Sequence, residues 1–266
     1  MALELVNKLP YDHPYRWDGT AVGGQKLWRP DELGAFLALW LDAEDAASIT
    51  LNGSTVSQWN DKSGNARHVS QATAASQPTY TLNGLNGKPV LTFDGIDDFM
   101  SVPDFNNAVS LALIGSGGGA AAALISGAAP ALFSPAWNTN GASIQYRGRT
   151  DTTVRQVSFG GASTNFSIGF TSLDAANSEV RLSGNGGAQT SFSQTINSAD
   201  TTINTLGRDF QGAQQFANGR IAEIVVASSL LSTGNRQKLE GYLAHKWGLT
   251  ANLPVDHPYK TTPPTV

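Results

Sequence analysis

The sequence contains no cysteine. Disulfides, thiolate nucleophiles and cysteine-based metal centres are therefore excluded, while the compartment stays open. Charge is scarce as well: Asp, Glu, Lys and Arg make up 14% of 266 residues and sum to a formal −4. No basic stripe runs along the chain, which argues against nucleic acid as a partner. No stretch approaches the roughly 18 continuous apolar residues of a membrane span. The richest run, Ala108–Phe133, is interrupted by Gly and Ser and reads as strand, small-residue turn, strand. The opening MALELVNKLPYDHPY is too short and broken in its apolar content, by Glu4, Asn7 and Pro10, to read as a secretion signal.

What is abundant is Gly, Ser, Thr, Asn, Gln and Ala, arranged as short apolar alternations punctuated by turns. LALWLDAE, KPVLTF, SIQYRG, VRQVSFG, FSIGFTSL, SEVRLSG, TTINTLG and RIAEIVVA each alternate over a few residues, with Gly or Asn between most of them. That rhythm predicts an all-β sandwich or closed barrel. One segment has helical spacing instead. Ser232 is placed to cap a helix over 233–247, Leu239, Tyr242, Leu243 and Trp247 recur along it, and Gly248 stands where it should stop. An amphipathic helix at the end of a β chain is expected to cover a sheet surface. The organisation that follows is an extended N-terminal arm over 1–29, one domain over 30–249 that includes the helix, and an extended C-terminal tail over 250–266.

Two blocks carry a family likeness. ALWLDAEDAASI, VSQWNDKSGNARHVSQ and LNGKPVLTFDGIDDFM resemble the front half of concanavalin A-like, laminin-G-like jelly-roll domains; GRIAEIVVASSLLSTGNRQKLEGYLAHKWGL resembles their back end. The likeness weakens between Val102 and Gly219. The resemblance implies a two-sheet jelly roll, often a carbohydrate binder or a protein–protein module, of a kind common in bacterial surface proteins and in tailed-phage structural proteins.

Catalytic signals are thin in the sequence. Jelly-roll glycoside hydrolases carry acids on alternate positions of one strand, and no Glu-x-Asp-x-Glu string is present; DAED (Asp42–Asp45) and DGIDD (Asp94–Asp98) come nearest. The expectation is a chain without enzymatic activity, glycoside hydrolase being a remote alternative. Asp94, Asp97 and Asp98, with Asp104 beyond them, offer hard oxygen ligands for calcium, although Asp94 and Asp97 equally suit the closing of a turn at Gly95. A metal-free sugar platform would use Trp137, Asn138 and Asn140, with Tyr146 and Arg147 nearby.

The termini echo one another. LPYDHPYR at Leu9–Arg16 and LPVDHPYK at Leu253–Lys260 differ only at Tyr11/Val255 and Arg16/Lys260. Two prolines stiffen each copy, so docking costs little chain entropy. Leu9, Pro10, His13 and Tyr15, and Leu253, Pro254, His257 and Tyr259, are the expected anchors of two assembly arms. Together these features lead to an expected structural protein of a phage particle, a head decoration or tail-fibre component, displayed on the virion surface after synthesis in the host cytoplasm. Its expected partners are its own copies and other virion proteins. The alternative is a carbohydrate-binding adhesin module that meets host-surface glycans.

Overall fold

The computed structural model describes residues 17, 21–22, 25–117, 123–127, 143–146, 154–158, 164–198, 200–209 and 215–266. The chain enters through a short ribbon, β1 (Ala21–Val22) and β2 (Gln25–Lys26), followed by a 3-10 turn over Pro30–Phe36 with proline at its start. The front half then supplies β3 (Leu37–Asp42), β4 (Ile49–Asn52), β5 (Thr55–Trp59), β6 (Val69–Ser70), β7 (Thr79–Leu85) and β8 (Lys88–Asp94). The middle supplies β9 (Met100–Phe105), β10 (Ser110–Gly117), β11 (Ile125–Ser126), β12 (Ser143–Tyr146), β13 (Arg155–Ser158) and β14 (Ser167–Asp174). The back half adds β15 (Glu179–Gly184), β16 (Thr190–Ser193), β17 (Ile203–Leu206), β18 (Arg208–Asp209), β19 (Gln215–Phe216) and β20 (Asn218–Ala227), before helix α1 (Thr233–Trp247). The architecture is the expected all-β jelly-roll sandwich with one C-terminal helix.

Strand β20 organises it. One of its edges pairs antiparallel with β10 along its length. The other is shared: Asn218–Ile221 pair with β8, and Glu223–Ala227 pair with β3. From β10 the ladder continues through β14 and β15 to β16; from β8 it continues through β7, β5, β6 and β9 to β17 and β11. Every residue of β3, β10 and β14 is buried, as is β20 from Ile221 onward. These strands are covered on both faces, which is why their sequences are nearly continuous apolar runs. One cover is α1, which packs on β10 and β14.

The turn after β5 closes as its residues suggest. Trp59 is fully buried. Asp61 Oδ1 accepts the N–H groups of Trp40 and Ser63 at 3.0 and 2.9 Å, and its Oδ2 accepts that of Arg67 at 3.0 Å. Helix α1 begins with Ser232 Oγ accepting the Asn235 N–H at 3.2 Å and ends at left-handed Gly248. The expected exposed polar face of α1 is not there: from Leu239 to Trp247 every residue is buried. The outer side is covered by the chain's two ends. Trp17 and Trp28 pack edge-on against Tyr242, at 5.0 and 6.3 Å between ring centroids. Trp28 N–H donates to Pro264 O and Val266 N–H to Lys26 O, tying the ends together.

Candidate functional site

At one end of the sandwich three segments far apart in sequence converge. The turn leaving β8 reverses at Gly95, whose φ of +79° an L side chain rarely adopts and whose missing Cβ leaves room for the Asn218 backbone. Asp94 Oδ1 accepts the Ile96 N–H at 2.8 Å, and Asp98 Oδ2 accepts the Asp94 N–H at 3.0 Å. Asp97 Oδ2 accepts the Ser76 hydroxyl at 3.3 Å. One oxygen from each of Asp94, Asp97 and Asp98 lies within 4.8 Å of the others. Burial first, and then the charges of Asp94 and Asp97, push Asp98 up to about 6 against the opposing Asp94 N–H.

Beside this acidic turn stands an aromatic and cationic group. Phe99 and Phe216 are both half-buried, with ring centroids 6.4 Å apart. The Arg208 guanidinium lies 3.8 Å from the Phe99 ring centroid, where ring and cation attract. Burial pushes Arg208 below its ordinary value. Ile96 projects from the turn, 74% exposed. The rim therefore presents apolar ring surface, a guanidinium fork and carboxylate oxygens at one strand end. Three carboxylates suit a hard cation, while the turn is already closed by its own backbone N–H groups.

The sequence-predicted residues fare unevenly. The structure brings Asp94, Asp97 and Asp98 together. Asp104 falls on β9, and its side chain lies outside the described residues. Tyr146 is corrected: its ring is 1% exposed within the core, because β12 turns that face inward, and it presents no platform. Trp137, Asn138, Asn140 and Arg147 lie outside the described residues, as do Leu9, Pro10, His13 and Tyr15. Leu253 and His257 are buried, Pro254 and Tyr259 partly so. The sequence reading missed Arg208, Phe216 and Phe99. The Arg-Asp and Gln-Phe dipeptides flanking a short connection mark a hairpin rim, a signal too brief to stand out.

A second cluster of ionisable groups is structural. Glu223, fully buried on β20, accepts Trp40 Nε1 at 2.7 Å and the Tyr242 hydroxyl at 2.8 Å on one oxygen. Its other oxygen accepts Lys246 Nζ at 2.7 Å and Trp247 Nε1 at 2.6 Å. Lys246 also reaches Asp42 Oδ1 at 2.7 Å, and Lys62 reaches Asp42 Oδ2 at 2.8 Å. Burial alone would raise Asp42; Lys246 and Lys62 hold it down to about 2. Burial pushes the Glu223 carboxyl up, and Lys246 and the Trp247 N–H pull the other way. This network welds α1 to β3 and β20, and its carboxylates leave no opening for a sugar.

No protein-family model matches the sequence, and no curated protein matches it. Solved structures do. Domain 4 of AbnA, a GH43 extracellular arabinanase from Geobacillus stearothermophilus, in complex with arabinotriose, matches at TM-score 0.52 and 14% identity over 75% of this chain and 95% of that one. A mutant GH54 α-L-arabinofuranosidase matches at 0.48 and 14% over 74% of this chain, which spans 50% of that protein. The binding domain of Botulinum neurotoxin DC in complex with rat synaptotagmin II matches at 0.49 and 10%, over 75% and 49%. The neighbours are mainly glycoside hydrolases, with arabinofuranosidases and a sialidase among them. The sequence expectation of a chain that is not an enzyme does not stand: the domain it resembles in fold belongs to an extracellular arabinanase, and the missing Glu-x-Asp-x-Glu string is too narrow a criterion to exclude activity. None of these comparisons points to a virion. What the chain shares with the arabinanase domain is a fold: an antiparallel β-sandwich of the kind found in carbohydrate-active and binding proteins.

Proposed function

We propose that the chain is a carbohydrate-binding β-sandwich module whose sugar-facing site is the rim formed by the Asp94–Phe99 turn, Arg208 and Phe216. The observation that carries this is the convergence of two half-buried aromatic rings, a guanidinium and three carboxylates at one end of the sandwich. A saccharide needs apolar surface for its C–H face and a few fixed donors and acceptors for its hydroxyls, and the rim supplies both. The shared fold supports the reading, since the arabinanase domain was solved with arabinotriose. Calorimetric titration of arabinotriose, and of a series of furanose and pyranose oligosaccharides, tests it. At least one is expected to bind, with affinity falling about tenfold or more in Arg208→Ala or Phe216→Ala. Binding that is equal in both variants would remove the site from the rim.

A further inference from the structure

The C-terminal copy of the echoed phrase is seated in a built cradle between α1 and the turn after β15. The Leu253 side chain lies 2.7 Å from where a Cβ on Gly186 would stand, and the His257 ring 3.0 Å from it, so only glycine leaves room for both. His257 Nδ1 accepts the Tyr259 N–H at 3.2 Å, which places the ring proton on Nε2, facing Glu240 Oε2 at 3.4 Å. Glu240 is fully buried and held by Arg236 Nη1 at 2.7 and 2.9 Å. Tyr259 packs on Gly241, its Cβ 2.5 Å from where a Cβ there would stand, and its carbonyl accepts from His245 Nε2 at 2.9 Å. Lys260 Nζ donates to the carbonyls of Thr250, Ala251 and Leu253 at 2.8, 3.0 and 2.7 Å.

Laid on the N-terminal phrase, these contacts select the residues that recur. Leu253, His257 and Tyr259 correspond to Leu9, His13 and Tyr15. Lys260 corresponds to Arg16, another cation able to donate to several carbonyls. The remaining difference, Val255 against Tyr11, falls at a position 92% exposed that the cradle does not touch.

We infer that this cradle recognises the phrase Leu-Pro-x-Asp-His-Pro-Tyr-(Lys/Arg), and that its second occupant is the Leu9–Arg16 segment of another copy of the chain. The arm begins beside a filled site: Trp17, which follows the phrase directly, packs on Tyr242 of its own α1, next to the Gly241 that Tyr259 covers. Taking a neighbour's cradle exchanges one set of contacts for a matching set, so the exchange is driven by concentration and links copies head to tail.

Light scattering on the full chain from micromolar to millimolar concentration tests this. His257→Ala loosens the resident tail and is expected to shift the mass toward dimers and longer chains; adding His13→Ala is expected to restore the monomer. A second arm needs no substitution. A synthetic Leu9–Arg16 peptide titrated into the isotope-labelled wild-type chain is expected to move the amide signals of Glu240, Gly241 and His245, with about tenfold weaker binding for the peptide carrying His13→Ala. Unmoved signals would overturn the inference, and so would an association that survives His13→Ala. A peptide that binds while His257→Ala stays monomeric at every concentration would seat the phrase in its own cradle, and exchange between copies would be wrong.

Discussion

Asp98 keeps its proton to a higher pH in the folded chain than in an unfolded one, because burial and the neighbouring Asp94 and Asp97 push it up to about 6. Its contribution to stability is therefore fully present below about pH 4 and lost as pH rises to about 6. Asp98→Asn removes that dependence. The stability of the variant relative to wild type is expected to climb across this window and then stay level, read as urea midpoints at a series of pH values. A difference that is flat with pH would mean that Asp98 is not perturbed. Asp42 has the opposite sign: held down to about 2, it contributes stability above about pH 4 that is lost as pH falls toward 2. Lys246→Met strips the buried cation from both Asp42 and Glu223 and is expected to cost about 3–5 kcal/mol. Equilibrium urea unfolding measures it, and a loss within the error of wild type would show that the network contributes nothing. Neither effect was legible in the sequence. DAED reads as a charged strand end until the fold brings Lys246 against it from more than two hundred residues away.

Helix α1 shows where local signals suffice and where they stop. Ser232 and Gly248 mark its ends by chemistry that acts within four residues, and the structure places the cap and the left-handed stop there. Its surroundings are not local. Arg236, Glu240 and Lys246 are charged, yet all three are buried: Arg236 and Glu240 neutralise each other one turn apart, and Lys246 is neutralised by Asp42 on β3 and Glu223 on β20. Gly241 is the clearest case of a residue whose role depends on a distant neighbour. Gly241→Ala should favour the isolated helix by roughly 1 kcal/mol, yet its Cβ would stand 2.5 Å from that of Tyr259. The expected result is a helix that persists while the tail lifts, seen as lost hydrogen-exchange protection at residues 257–260. Unchanged protection there would mean that the cradle tolerates a methyl group and is looser than described.

At the scale of the whole molecule, the sandwich was legible because its strands alternate and its turns carry Gly and Asn. Strand β20 was recognisable as a strand, but its divided edge, β8 beside Asn218–Ile221 and β3 beside Glu223–Ala227, follows from packing and from no local pattern. The rim was half legible. FDGIDDF announces an acidic turn, whereas Arg208 and Phe216 join it only because β18 and β19 close over Phe99. A function carried by that rim needs all three segments, so the direct measurement is binding of the full chain to a broad glycan array, in calcium and in EDTA, beside an Arg208→Ala/Phe216→Ala double variant. Saturable binding to at least one glycan, lost in the double variant, is expected; loss in EDTA as well would assign a cation to Asp94, Asp97 and Asp98. A blank array under both conditions, or binding that the double variant retains, would contradict a carbohydrate site at this end of the sandwich.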